Sequence, residues 1–158
     1  MRKRIVAPEQ HTTSPPEEDW LKLEVLVEEV VVTSEDPDHP VEAALIPGRG
    51  SGWRASGRGE QTVRLVFAQP QSLRHIRVEF VENDRARTQQ HVLRWSPDGG
   101  RSFQEVVRQQ WNFSPTGSTR QEEDYRVQLS GVTVLELAII PDISGGDALA
   151  SMAALRLA

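Results

Sequence analysis

Short runs of alternating apolar and polar residues recur along most of the chain, and this period of two predicts β-strands. In the first run the phase breaks at Glu28-Glu29, which predicts a β-bulge or a change of sheet. Helix is predicted only as a short turn at Val41 to Leu45. Repeated short strands with turn residues between them predict an all-β, antiparallel sandwich or barrel. The eight predicted strands cover residues 21–32, 63–67, 76–80, 91–96, 103–107, 125–129, 135–139 and 152–157.

The clearest of these signals is the segment His91–Val107, which reads as strand, tight turn and strand. Apolar residues alternate on both sides of Ser96-Pro97-Asp98-Gly99-Gly100. An Asp-Gly pair in that setting favours a hairpin, because glycine tolerates the positive φ that such turns need. The segment therefore predicts an antiparallel β protein.

The composition divides the chain into a tail and one domain. Residues 1–18 are polar and contain Pro8, Pro15 and Pro16, so we expect a flexible N-terminal tail. Residues 19–158 are enough for one β-sandwich with its own core. The chain has no cysteine, which excludes disulfides, thiol catalysis and Cys-ligated zinc.

The strand order also predicts where the loops lie. If each strand runs back along the sandwich, the connections at 33–59, 82–89, 112–122 and 141–150 emerge at one end. The tight turns at Gln69-Pro70-Gln71, Ser96 to Arg101 and Ser130-Gly131 lie at the other end. Since loops held by a rigid scaffold usually carry function, we expect a ligand at the long-loop end.

Charge and terminal sequence limit the location and the partners. The net charge of −5 disfavours nucleic acid, whose partners usually present a basic face. No apolar run is long enough to span a bilayer, so no membrane role is expected. Met1 to Val6 is basic but is followed by no apolar segment, so it does not read as a secretory signal. We expect a cytoplasmic protein, and the preference for arginine over lysine fits a bacterial genome of high GC content.

Five segments, in their order and spacing, resemble the discoidin or coagulation-factor type C domains of the galactose-binding-domain-like superfamily. The resemblance covers about residues 20–158 and implies an eight-stranded antiparallel jelly-roll β-sandwich. It also implies a binding module with carbohydrate as the leading ligand class. The segments are Ala43-Ala44 with Gly52-Trp53, Gln61 to Phe67, Pro70 to Ile76, Ser96 to Val106, and Gly131 to Leu135.

The resemblance transfers the fold but no ligand residue. Sugar-binding or calcium-assisted relatives often have Asp-Gly in the first long loop, where this chain has Leu45-Ile46-Pro47-Gly48. The His and paired-Arg arrangement of fucose-binding relatives is not reproduced, and the disulfide of extracellular members is absent.

The loop after the third predicted strand carries one group of candidate ligand-binding residues, Asn83, Asp84, Arg85 and Arg87. Two arginines beside an acid and an amide could clamp vicinal hydroxyls or a carboxylate through forked hydrogen bonds. The alternative is a solvated turn with local ion pairs.

A second group, Trp111, Asn112 and Phe113, ends the fifth predicted strand. An aromatic face there could stack on a pyranose ring while Asn112 donates and accepts hydrogen bonds. The alternative is that both aromatic rings belong to the core. His39, in the acidic loop that starts at Ser34, is a further ligand-binding candidate.

Metal binding and catalysis have weaker support. The acidic loop Ser34 to His39, with Asp142 and Asp147, could offer oxygen ligands to Ca²⁺, but it matches no EF-hand spacing, so no cofactor is expected. Gly48 to Gly52 lacks the lysine and the helix of a phosphate-binding loop. No nucleophile or metalloprotease motif occurs, and we expect no enzyme.

The sequence therefore predicts a non-catalytic module that binds carbohydrate through its long loops. The alternative is an intracellular protein–protein interaction module of the same fold with no sugar ligand. The absent secretory signal, disulfide and Asp-Gly favour that alternative. DNA binding ranks third because of the net charge.

Overall fold

Strand pairing defines the architecture of residues 19–158, the part of the chain that the computed structural model describes. The N-terminal tail predicted for residues 1–18 lies outside the described residues. Two one-turn helices, α1 (Leu23–Leu26) and α2 (Glu42–Leu45), accompany eight strands. The strands are β1 (Val27–Val32), β2 (Trp53–Arg58), β3 (Gln61–Val81), β4 (Arg87–Ser96), β5 (Gln104–Phe113), β6 (Arg120–Ile140), β7 (Leu149–Met152) and β8 (Ala154–Leu157).

All strand pairs are antiparallel. The larger sheet has the order β1-β3-β6-β4-β5, with β8 also paired to β3, and β2 pairs with β7 in a separate ribbon. The predicted all-β, jelly-roll sandwich is thereby confirmed. Within residues 19–158 no helix has the length and apolar character needed to cross a membrane.

Two long strands carry the chain from one layer of the sandwich to the other. The first half of β3 pairs with the second half of β6, from Gln61↔Ile139 to Val66↔Val134. Beyond a break in register, the second half of β3 pairs with the first half of β6, as far as Val81↔Arg120. β1 and β4 extend the first layer, and β8 extends the second.

This geometry corrects two predicted turns. Gln69-Pro70-Gln71 and Ser130-Gly131 are bends inside β3 and β6, opposite each other at one corner of the sandwich. Proline lacks an amide hydrogen and Gly131 has a φ of 72°, so both interrupt the ladder and let the paired strands bend from one layer to the other. The predicted second and third strands are therefore one strand, as are the sixth and seventh.

The core lies between the two layers. Alternate residues of the first half of β3 and the second half of β6 face those of the second half of β3 and of β8. The ring of Trp53 from β2 is 1% exposed and closes the core near the long loops. The largest fully buried side chains are those of Trp53, Phe80, Leu65, Leu73, Ile76, Leu93, Leu135, Leu137, Ile139, Met152, Leu155 and Leu157.

The start of the domain differs in part from its prediction. Leu23–Leu26 forms a helical turn in which the amides of Val25 and Leu26 donate to the carbonyl of Lys22, so β1 begins only at Val27. The bulge predicted at Glu28-Glu29 is confirmed, because the register of β1 on β3 shifts between Val27 and Glu29. The helical turn predicted at Val41 to Leu45 is also confirmed, as α2.

The predicted long-loop end is confirmed by contacts between the loops. The amide of Glu82, after β3, donates to the carbonyl of Thr119, before β6, at 2.8 Å. Arg87 Nη1 donates to the carbonyl of Pro141, after β6, at 2.7 Å. The loop after β1 joins them, since its His39 lines a pocket together with Glu82.

Candidate functional site

A polar groove lies at the long-loop end, between segment 82–85 on one side and β2 and β7 on the other. Two adjoining pockets of about 210 and 190 Å³ make up this loop-end groove. The lining residues that both pockets share are Arg54, Val81, Glu82, Asp84 and Ser151.

Three polar side chains in the loop-end groove are open to a ligand. Arg54, Asn83 and Asp84 are exposed, and none has a side-chain partner among residues 19–158. Arg54 sits on β2, whose alternation buries Trp53 and Ala55 and turns Arg54 outward. The groove thus presents a cation, an amide and a carboxylate that internal contacts do not occupy.

Next to these open groups, Arg85 and Asp147 join two loops across the groove. Arg85 Nη1 donates to Asp147 Oδ1 at 2.7 Å, and both residues line the groove. The hydrogen bond from Arg85 holds the pKa of Asp147 below its ordinary value. Asp147 is therefore an anion that fixes the position of Arg85, a predicted ligand residue.

Arg87 braces the groove from inside. Its side chain is 1% exposed, and Nε donates to Glu82 Oε1 at 2.7 Å. Nη1 donates to Gln89 Oε1 at 3.0 Å and to the Pro141 carbonyl at 2.7 Å. Burial raises the pKa of Glu82, but the hydrogen bonds from Arg87 and from the Asp84 amide, together with the charges of Arg87 and Arg85, outweigh burial, so that pKa lies below its ordinary value. The structure thus places Arg87 under the loops, with its guanidinium occupied by internal partners.

A separate shallow depression lies on the far side of the same loop, lined by Arg87, Thr88, Asn112, Phe113 and Asp142 among others. Asn112 is exposed, and its Oδ1 accepts a hydrogen bond from Thr88 Oγ1 at 2.6 Å. Phe113 is 2% exposed and lies 4.9 Å below the guanidinium of Arg87. The predicted ligand-binding residues are therefore divided between the loop-end groove and this neighbouring depression.

The aromatic platform expected for a sugar is not exposed. Trp111 is half-buried on β5, paired with Gln89 and packed against the core, with no hydrogen-bond partner for its buried Nε1. Phe113 is buried beneath Arg87. Both aromatic rings belong to the core, as the alternative interpretation predicted. Burying their large apolar surface stabilises the fold more than exposing it to solvent would.

The acidic loop before α2 uses its oxygens to shape turns. Asp36 Oδ1 accepts from the amide of Asp38 at 2.9 Å, and Glu35 Oε2 accepts from the amide of Val41 at 2.8 Å. His39 lines the groove, with its Nδ1 3.5 Å from Asp36 Oδ2. Across residues 19–158, no group of three or more His, Asp and Glu side chains is placed to hold a metal ion.

The sequence interpretation missed Arg54, Glu82 and Ser151 as groove residues, and it named Asp147 only as a possible metal ligand. Arg54 was hidden because its strand, β2, lies in a glycine-rich stretch that reads as irregular. The alternation of buried Trp53 and Ala55 was the available signal. Ser151 was hidden by the division of the C-terminal run into β7 and β8.

Comparison with solved structures identifies the fold. A family 32 carbohydrate-binding module of Clostridium perfringens NanJ, in complex with galactose, has a TM-score of 0.63 and 14% identity, covering 87% of this chain and 96% of that one. The family 32 module of AlyQ, in complex with 4,5-unsaturated mannuronic acid, has a TM-score of 0.61 and 15% identity, covering 84% and 95%. A pectin-binding module has a TM-score of 0.58 and 16% identity, covering 83% and 89%.

These likenesses establish the fold alone. The chain has the antiparallel β-sandwich fold seen in these family 32 carbohydrate-binding modules. No family model matches the sequence, and no curated protein matches it.

Proposed function

We propose that the protein is a non-catalytic carbohydrate-binding module whose sugar lies in the loop-end groove. The observation that carries the proposal is the set of unoccupied polar groups at Arg54, Asn83 and Asp84. The structures of similar fold that hold galactose or an unsaturated mannuronic acid support the ligand class.

The open groups match the hydrogen-bonding needs of a sugar. A carboxylate accepts from two neighbouring hydroxyls, while an amide donates and accepts, and a guanidinium donates through a planar fork. Asp84, Asn83 and Arg54 supply these three functions within one groove. Arg85 and His39 lie at its margin, and Asn112 lies in the adjoining depression.

Glu82 and Asp147, two acids of the groove, do not form a hydrolytic pair. Glycoside hydrolysis needs one carboxyl group that stays protonated near neutral pH, which requires a raised pKa. Glu82 and Asp147 are held by Arg87 and Arg85, and the pKa of each is lowered. Both groups remain ionised, so the groove is suited to binding rather than to bond cleavage.

The finer assignment within the fold follows from the sequence. The ordered motifs from Ala43 to Leu135 favour the discoidin branch of the superfamily, and the preference for arginine over lysine fits a bacterial source.

The test is a glycan array followed by calorimetry with the best ligand. Arg54→Ala and Asp84→Asn each remove a charge-assisted hydrogen bond, worth about 1.5–3 kcal/mol, so affinity should fall roughly tenfold or more. Arg101→Ala is the matched control, because Arg101 is also exposed but lies in the β4–β5 turn at the opposite end. It should bind the sugar like the parent protein. Absence of any glycan ligand, or equal losses in Arg54→Ala and Arg101→Ala, would contradict the proposal.

A further inference from the structure

A second groove, separate from the loop-end groove, runs beside β1. It has a volume of about 240 Å³ and lies between β1 and the two helical turns. Its apolar lining comes from Leu23, Val27, Val30, Leu45 and Ile46. Its remaining lining residues are all glutamates, and we call it the acidic-rimmed groove: Glu24, Glu28, Glu29 and Glu42.

None of the four glutamates has a cationic partner among residues 19–158. Elsewhere the carboxylates of Glu136, Asp124 and Glu82 each meet an arginine within hydrogen-bonding distance. All four rim residues are exposed. Four unpaired negative charges around an apolar floor create a local field that attracts cationic side chains.

The strand beside the groove also has a free edge. β1 ends the order of the larger sheet, so within residues 19–158 only one of its sides is paired, with β3. The outer side presents backbone amides and carbonyls that an added strand can pair with. The exposed Val31, 46% accessible, adds an apolar side chain on this strand.

We propose that the acidic-rimmed groove docks an extended segment of a partner protein in which lysine or arginine alternates with apolar residues. The apolar side chains of such a segment pack on Val30 and Ile46, and its cations face the glutamate rim. Its backbone adds a strand to the open edge of β1. Charge complementarity selects this occupant, because an acidic or uncharged segment gains nothing from four unpaired carboxylates.

The test is fluorescence anisotropy with a labelled synthetic peptide, Lys-Val-Arg-Val-Lys-Val-Arg, titrated with the full chain. We expect saturable binding that weakens as salt is raised, since exposed ion pairs are screened. The double variant Glu28→Gln/Glu42→Gln should lower affinity about three- to tenfold, from two exposed ion pairs. Glu60→Gln, an exposed glutamate of the β2–β3 turn without a partner in residues 19–158, is the matched control and should leave affinity unchanged.

Two further peptides separate charge from strand addition. Proline in place of the central valine removes a backbone donor and should abolish binding if the peptide extends the sheet. A Glu-Val alternating peptide should not bind. Equal affinity for the acidic peptide, or binding that survives the proline, would overturn the proposal.

The chain's own sequence Arg2-Lys3-Arg4-Ile5-Val6 has the same chemistry as the proposed partner. In the full chain, replacing Arg2, Lys3 and Arg4 by serine should not alter peptide affinity if the groove serves another protein. A marked gain in affinity would show that this sequence competes for the groove and would overturn the partner assignment. Sugar binding should be the same in all of these variants, so the two proposals can fail separately.

Discussion

At the scale of single residues, the two arginines of the predicted clamp have opposite roles. Arg85 is exposed and meets Asp147 in solvent, whereas Arg87 is enclosed and binds Glu82 and the Pro141 carbonyl. Sequence places both in one short loop and cannot separate them, because burial depends on the rest of the fold. The difference decides which arginine can reach a ligand.

Replacing Arg87 by methionine should strongly destabilise the domain. The variant keeps apolar volume but leaves the carboxylate of Glu82, whose side chain is only 15% exposed, without its partner, which costs about 3 kcal/mol. A drop of roughly 10 °C in the unfolding midpoint is expected from calorimetry, since each kcal/mol shifts the midpoint of a domain this size by about 2–4 °C. Arg85→Met, the matched control, should move the midpoint little. If both variants unfold at the parent temperature, Arg87 does not brace the loops.

At the scale of elements, the ribbon of β2 and β7 depends on one glycine. Gly52 has a φ of 116°, and a Cβ built there would lie 2.5 Å from the Met152 carbonyl oxygen. Gly52→Ala should therefore push β2 away from β7, and amide hydrogen exchange in residues 53–58 and 149–152 should accelerate. Gly57→Ala, within β2, is the control, because its Cβ would meet nothing within 4 Å. Unchanged exchange in Gly52→Ala would show that the ribbon tolerates the side chain.

The elements also show how far the sequence could lead. Period-two alternation located most of the sheet, and Asp98-Gly99 correctly marked the β4–β5 turn, where Asp98 Oδ1 accepts from the Ser102 amide. The bends at Pro70 and Gly131 were read as turns, because proline and glycine interrupt a strand and end one in the same way. β2 was missed because its glycine-rich surroundings read as irregular, and only the alternation of Trp53 and Ala55 marks it as a strand.

The same limit applies to the candidate site. Strand parity correctly placed the long loops at one end. The corner folds β3 and β6 back over the core, as the two predicted turns would have done, so the ends from which the loops emerge are unchanged. Which side chains remain unoccupied depended on partners far away in sequence. Asp147 accepts a hydrogen bond from Arg85, and the Pro141 carbonyl accepts one from Arg87. Arg54 has no side-chain partner among residues 19–158. The residues next to each arginine in the sequence do not predict these partners.

At the scale of the whole molecule, a buried histidine joins the two layers. His91, on β4, lies 5.1 Å from the Phe80 ring of the other layer. Tyr125 Oη donates to Gln109 Oε1, so His91 Nε2 donates to Tyr125 Oη, at 2.8 Å. Burial lowers the pKa of His91 from 6.5 to about 4. His91 is therefore neutral in the folded protein at pH values well above 4.

Global stability should depend on this group between pH 6.5 and 4. The unfolded chain takes up the proton first, so the contribution of His91 is complete above pH 6.5 and is lost as the pH falls towards 4, amounting to about 3 kcal/mol. Urea denaturation across that range should show the decline, and His91→Gln should flatten it. As the pH falls below 4.5 for Glu82 and below 3.8 for Asp147, the unfolded chain takes up protons at these groups before the folded chain does, because their pKa values are lowered by folding, and a further loss is added. An equal slope in His91→Gln would exclude His91 as the cause.

The bent strands β3 and β6 have a consequence for how the molecule comes apart. One ladder of hydrogen bonds runs from Gln61↔Ile139 in the first layer to Val81↔Arg120 in the second, interrupted only at the corner. Each layer contains only half of β3 and half of β6, so neither layer can stay folded when the other unfolds. We therefore expect the domain to unfold as a single cooperative unit.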